Sequence, residues 1–254
     1  DIEVALGGNL CRCTGYSPII KAAQSLASYS PDDAFSRQQA DTIAALKACA
    51  QIDSVALQQG EQRYYLPTSR QELADLLVQY PNARLVAGST DLALEITQNL
   101  QRLSLLIGLN QLRELQTIDV TETHVVIGAA APYAQCYEIV AQQFPAFAKL
   151  LLRLGSQQIR NQGTFGGNIG TASPIGDTLP VLLALGAELE LQRGDSVRYL
   201  PLDQYFIAYR QTALQEGEFI AAIHIPRLKP NQHLVVDKVS KRWDDDISAV
   251  CAAW

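Results

Sequence analysis

Three stretches of this 254-residue chain hold residue types that can do chemistry. Residues 159–181, IRNQGTFGGNIGTASPIGDTLPV, carry Gly163, Gly166, Gly167, Gly170 and Gly176 with few long side chains between them, so the main chain itself can approach a ligand. Thr164, Thr171 and Ser173 add hydroxyl donors, Asn168 can pin a turn through its amide, and Asp177 opens a helical pattern through Leu185. This suits a phosphate-bearing cofactor, although a glycine-rich loop between two elements has a similar composition. In residues 85–92, Leu85, Val86 and Ala87 read as a short strand running into Gly88, Ser89, Thr90 and Asp91, after which Leu92 begins another element. Such a turn aims successive N–H groups and two hydroxyls at a diphosphate, or simply joins strand to helix. In GGNLCRCTGYSPII, residues 7–20, Cys11 and Cys13 can place two thiolates on one iron, their small neighbours letting backbone amides turn toward the sulfurs. A 2Fe-2S cluster or a tetrahedral zinc takes four ligands, and Cys49, Cys136 and Cys251 are isolated among apolar residues. The missing pair is therefore expected before Asp1; the alternative is a Cys-x-Cys without function.

The elements that position these stretches are legible in outline. Ser17-Pro18 is a helix start followed by apolar residues at helical spacing, and residues 30–60 turn small and polar around an Ala-rich piece at 41–50. That middle segment reads as a connector or as a helix belonging to the second domain, which divides the chain at 1–30, 31–60 and 61–254. Strands at 64–66, 85–87 and 103–108 alternate with helices, the first opened by a capping box at Ser69 and Glu72, and predict a small parallel sheet. A strand at 124–128 and helices at 132–143 and 146–154 lead to the glycine-rich stretch. Beyond it, strands at 188–193, 197–200, 219–225 and 234–239 predict a mainly antiparallel array. The class is α+β, with two subdomains facing each other across the glycine-rich stretch.

Composition narrows the function. Twenty basic against 26 acidic residues, net charge −6, with no basic cluster, argue against nucleic acid as a partner. No apolar run reaches membrane-spanning length and five scattered cysteines do not make a secreted disulfide framework, so a cytoplasmic protein is expected. Neither Gly-x-Gly-x-x-Gly nor Gly-Lys-Ser/Thr occurs in a nucleotide-binding context. His124, His224 and His233 lie on strand-like segments and are read as having no carboxylate or cysteine partner, and no nucleophile setting is present, so no catalytic side chain is assigned. The run KVSKRWDDDIS at 238–248 reads as a charged turn. The chain starts at Asp1 and contains no Met, so a fragment is expected, with residues 247–254 an apolar strand cut short.

In their order, GNLCRCTGYSPI, LVAGSTDLALE, IRNQGTFGGNIGTASPIGDTLP and VSKRWDDDISAV resemble the molybdenum hydroxylase family, most closely the iron–sulfur and flavin small subunit of its purine-oxidising branch. The resemblance covers essentially the whole chain. It implies a PCMH-type FAD-binding domain, with a small parallel α/β subdomain and a mainly antiparallel one, preceded by the tail of an all-helical 2Fe-2S domain. Cys11 and Cys13 would be the last two cluster ligands. Residues 85–92 would hold the FAD diphosphate, with Asp91 where the family usually has Glu; Thr164, Gly167, Asn168 and Asp177 would continue that grip. Leu154 matches a position where some relatives place Phe against the flavin, Ile220 and Lys238 match further flavin contacts, and residues 240–245 would border the approach of NAD. Electrons would pass from cluster to FAD to NAD while hypoxanthine or xanthine is hydroxylated on a molybdopterin-binding large subunit, in a hetero-oligomer. Alternatives are the flavin subunit of another molybdenum hydroxylase, acting on carbon monoxide, N-heterocycles or aldehydes; a flavin oxidase without iron–sulfur; an iron–sulfur carrier; and a nucleotide-binding module.

Overall fold

The computed structural model describes residues 2–11, 13–29, 32–50 and 53–254. The chain divides into two units, Asp1–Asp53 and Ser54–Trp254. The first is helical: Ile2–Leu6, Ser17–Ser25 with a following 3-10 turn, Ala34–Arg37 and Gln39–Cys49. The Ser17–Ser25 helix is entered from Tyr16 in a left-handed conformation (φ 63°), with Pro18 in the first turn, where its missing N–H costs nothing. Asp33 caps Ala34–Arg37 by accepting from the Ser36 N–H at 2.6 Å.

The second unit opens with β1 (Val55–Gln59), β2 (Gln62–Leu66), β3 (Arg84–Val86) and β4 (Leu105–Gly108), in the spatial order β1-β2-β4-β3. β2 and β3 both run parallel to β4, as the alternation of strands and helices predicts. β1 lies in the stretch expected as a connector, yet it pairs antiparallel with β2 from Val55↔Leu66 to Gln59↔Gln62, so the sheet is mixed. Helix Arg70–Gln79 begins as its capping signal indicates: Ser69 Oγ accepts from the Glu72 N–H at 3.2 Å. Glu72 departs from a standard capping box, because its Oε2 reaches one residue further back, to the Thr68 N–H at 2.9 Å.

The remaining strands are β5 (Ile118–Val120), β6 (His124–Gly128), β7 (Glu188–Arg193), β8 (Ser196–Pro201), β9 (Phe206–Ala208), β10 (Gln211–Thr212), β11 (Phe219–Pro226), β12 (Val236–Val239) and β13 (Val250–Ala253). An antiparallel sheet β5-β6-β11-β7-β8 forms the body of this half, and β9 and β10 make a separate hairpin. β12 leaves the expected array and, among the described residues, pairs only with β13. Two cores result. Leu73 and Leu77 of the first helix pack with Ile107, Leu112, Leu115 and Phe219. Phe147 and Phe165 from helices, with Phe144 at the junction of two helices, pack with Val125, Ile127, Leu189, Leu191, Ile223 and Ile225 from the antiparallel sheet. Each fully buried side chain of this size contributes roughly 1.5–3 kcal/mol. β11 feeds both cores: Phe219 and Ala221 serve the first, Ile223 and Ile225 the second. All four have the same parity, and the register shift between Ile220 and Ala222 reorients the strand between them.

Candidate functional site

Between these cores the second unit holds a cleft of about 930 Å³, within the size range of small-molecule and cofactor sites. One wall is the turn after β3. Gly88, Ser89, Thr90 and Asp91 line the cleft, and none of their N–H groups donates to an acceptor among the described residues. The Ser89 and Thr90 hydroxyls are likewise unengaged among the described residues. Ser89 takes φ 59°, a left-handed conformation unusual for a residue with a Cβ and typical of turns held for a ligand. Helix Leu92–Thr97 follows at once from Asp91.

The facing wall is the glycine-rich stretch, most of which is helical: Gln157–Gln162, Phe165–Thr171 and Thr178–Ala184. Its glycines do two different jobs. A Cβ on Gly166 would meet Ala129 O and Cβ at 2.5 Å, and one on Gly88 of the opposite wall would lie 1.7 Å from Gln162 O; these residues are small so that backbones can touch. A Cβ on Gly167 would meet only Thr164 Oγ1, at 3.0 Å, and one on Gly170 only Ile220 Cδ1, at 4.0 Å; both positions line the cleft. Thr164 Oγ1 accepts from the Gly167 N–H at 2.9 Å, so the first turn is capped internally. Asn168 Oδ1 accepts from Thr178 Oγ1, and Thr171 Oγ1 donates to Gly167 O at 2.8 Å.

Of the residues singled out from sequence, Leu85, Ala87, Gly88, Ser89, Thr90, Asp91, Leu92, Leu154, Thr164, Gly167, Asn168 and Ile220 line this one cleft. Val86 is turned to strand pairing, its carbonyl accepting from the Leu109 N–H at 2.9 Å. Asp177 and Lys238 are not in the lining; they form a buried ion pair of 2.7 Å. The remaining Lys238 donors go to Arg153 O at 3.0 Å and Asp246 O at 2.9 Å, and Asp177 Oδ1 accepts from Ser248 Oγ. Arg153 donates to Lys238 O at 2.7 Å and Ser240 Oγ at 2.9 Å and stacks on Trp243 at 4.5 Å, so residues 238–248 are tied down rather than a free charged turn.

Other participants were not singled out from sequence. Tyr133 lines the cleft, buried edge-on against Phe165, and burial pushes its phenol well above its usual range. Glu218 also lines it; burial would raise its carboxyl, but the Arg198 fork (2.7 and 2.8 Å) and the Gln215 N–H hold it below the ordinary value. The expectation that no histidine has a carboxylate partner is corrected at His224, whose Nε2 lies 3.1 Å from Glu190 Oε2. Glu190 also takes Arg70 at 2.6 Å, and against its burial these two partners lower its pKa. His224 and Glu190 sit on neighbouring strands 34 residues apart, out of reach of any local signal.

In the first unit, Cys11 Sγ and Cys13 Sγ converge to 2.7 Å. Hydrogen bonding from Cys13 and Thr14 lowers the Cys11 thiol to about 7, favouring the thiolate that binds metal. Among the described residues no three His, Cys, Asp or Glu side chains converge on one point. By contrast, burial pushes the Cys136 thiol up to about 12 and Cys251 up to about 11, as expected of packing residues.

An α+β unit whose cleft offers unengaged main-chain donors opposite side-chain-free glycines defines a domain for a phosphate-bearing cofactor. More particularly, the chain belongs to the family described as the FAD binding domain in molybdopterin dehydrogenase, whose model matches residues 56–228. It is 30% identical over 306 residues to a xanthine dehydrogenase of Drosophila pseudoobscura pseudoobscura, covering 100% of this chain and 23% of that protein. To the xanthine dehydrogenase of Emericella nidulans it is 29% identical, covering 99% and 22%. The chain thus spans less than a quarter of these relatives. Among solved structures, a chain of carbon monoxide dehydrogenase from Hydrogenophaga pseudoflava superposes with a TM-score of 0.69 at 28% identity, over 73% of this chain and 65% of that one. Quinoline 2-oxidoreductase from Pseudomonas putida 86 gives 0.69 at 27%, over 75% and 66%. Both likenesses agree with the α+β fold class read from sequence. Among the described residues no helix is long and apolar enough to cross a membrane.

Proposed function

We propose that this chain is the cluster-to-flavin segment of a molybdenum hydroxylase of the xanthine dehydrogenase type, a cytoplasmic iron–sulfur/flavin small subunit working with a molybdopterin-binding large subunit. The observation that carries the flavin assignment is the row of unengaged N–H groups from Gly88 to Asp91 facing Gly167 across the cleft. These donors would hold the FAD diphosphate, with the Ser89 and Thr90 hydroxyls beside them and Leu154 and Ile220 packing on its apolar parts. The Asp177–Lys238 pair would act by fixing residues 238–248 beside that site, where NAD would approach. In the first unit, residues 1–30 would be the end of a helical 2Fe-2S domain, Cys11 and Cys13 holding one side of the cluster and a Cys pair preceding this chain the other. Residues 31–60 would lead into the flavin domain at 61–254, β1 at the end of that lead joining the domain's sheet by pairing with β2. When bound, the cluster and FAD supply the redox chemistry, taking single electrons released by purine hydroxylation and delivering a pair to NAD. The protein's part is to orient and tune these groups. Cys-x-Cys and flavin cleft on one polypeptide, together with a match along the whole chain, favour xanthine dehydrogenase over the carbon monoxide dehydrogenase type.

The test is the visible spectrum of the full-length protein containing this chain, before and after NADH. Flavin and cluster absorption, both bleached by NADH, is the expected result. Flavin without cluster, cluster without flavin, or neither would reject the assignment.

A further inference from the structure

Six charged side chains line the cleft: Asp91, Glu95, Glu216 and Glu218, with Arg84 and Arg210. Two of the carboxylates are matched within the protein. Arg84 grips Glu95 through both nitrogens, at 2.8 and 2.5 Å, and Arg198 grips Glu218. This leaves Asp91 and Glu216 on the negative side and Arg210 on the positive. Among the described residues the Arg210 guanidinium makes no hydrogen bond or ion pair; it lies only over the Tyr209 ring, 5.9 Å from its centre. It stands at the tip of the β9–β10 hairpin with φ 52°, a left-handed conformation that costs energy in a non-glycine residue.

A diphosphate would bring negative charge into a wall that already carries an excess of it. The N–H groups and hydroxyls of residues 88–90 solvate such a charge but do not neutralise it. Among the described residues Arg210 is the one cation of the lining not already spent on a carboxylate, and a guanidinium presents a planar fork of donors suited to phosphate oxygens. We infer that Arg210, from the cleft lining, closes on a phosphate of the flavin cofactor, so that the site selects a phosphorylated flavin over the unphosphorylated vitamin. The inference rests on the flavin assignment above and adds to it the residue that reads the charge.

Flavin-stripped full-length protein, as wild type, Arg210→Lys and Arg210→Gln, would be titrated with FAD and with riboflavin at low and high salt. FAD affinity should fall about tenfold in Arg210→Gln, as expected for losing one partly exposed charge-assisted contact, and recover in part in Arg210→Lys. Riboflavin affinity should be the same in all three, which also reports an intact cleft. The loss for FAD should shrink at high salt. Equal FAD affinity in wild type and Arg210→Gln would overturn this inference alone, as would an unchanged FAD affinity with a raised KM for NAD. Equal losses for riboflavin and FAD would overturn it too, since a phosphate reader cannot affect a flavin without phosphate. Wild-type protein that fails to bind FAD would remove the flavin assignment as well.

Discussion

Replacing Gly88 with alanine tests whether the two walls of the cleft are held by backbone contact. The added Cβ would lie 1.7 Å from Gln162 O, 2.3 Å from Gln162 C and 2.9 Å from Gly163 N. The atoms met are all main chain, so no side-chain rotation relieves the clash. To regain even a 3.0 Å approach, one wall must retreat by about 1.3 Å. Overpacking of this kind costs roughly 1–3 kcal/mol. For a unit of this size that is a melting temperature lower by roughly 2–12 °C. The displaced turn also carries the free donors at Gly88–Asp91, so FAD affinity should fall with stability. The control is Gly170→Ala in the last turn of helix Phe165–Thr171, where the nearest atom to a new Cβ is Ile220 Cδ1 at 4.0 Å. There alanine should be neutral or stabilise by about 0.5–1 kcal/mol, through helix propensity. Thermal melts of the flavin-free proteins, followed by FAD titration, separate the two effects. Wild-type stability and FAD affinity in Gly88→Ala, or equal behaviour of the two variants, would refute the backbone-contact argument.

Gly167→Leu should do the reverse of Gly88→Ala. Its side chain would enter the cleft and meet little protein, so FAD should be expelled while the melting temperature of the flavin-free protein stays close to wild type; normal FAD retention would remove Gly167 from the binding wall. The acid limb of stability should depend on Glu218. Its pKa is lowered in the folded state, so its contribution is complete above the ordinary glutamate value of about 4.3 and is lost as pH falls through the lower folded value. Glu218→Gln should therefore cost about 1.5–3 kcal/mol at pH 7, toward the lower end because Arg198 is one-third exposed, and the deficit should shrink below about pH 4. Denaturant titrations at pH 7, 5 and 3.5 measure this, and a deficit independent of pH would show that the carboxylate charge is not what stabilises the turn.

Much of the molecule is legible in short-range pattern. The Ser69 cap, the strand at β6 and the helices flanking the glycine-rich stretch all follow from neighbours within a turn or two. The glycine and cysteine clusters stand out for the same reason: their residue types are unusual locally. Less was legible in the connector, because β1 has exposed positions along most of its length and lacks the alternation that marks a half-buried strand. β12 could not be told from a strand of the main sheet, because pairing partners are chosen by packing rather than composition.

By itself, then, the chain of residue types determined the class of fold, the turn at 88–91 and the presence of a bulk-free face. Tertiary structure alone decided which glycine touches backbone and which faces the cleft, since Gly88 and Gly167 are chemically identical until Gln162 is brought against one of them. It also decided that Lys238 finds Asp177 across 61 residues and that Glu190 is shared by Arg70 and His224. Such pairings arise only when packed cores bring distant side chains into one low-dielectric place, where a charge left without a partner would be costly.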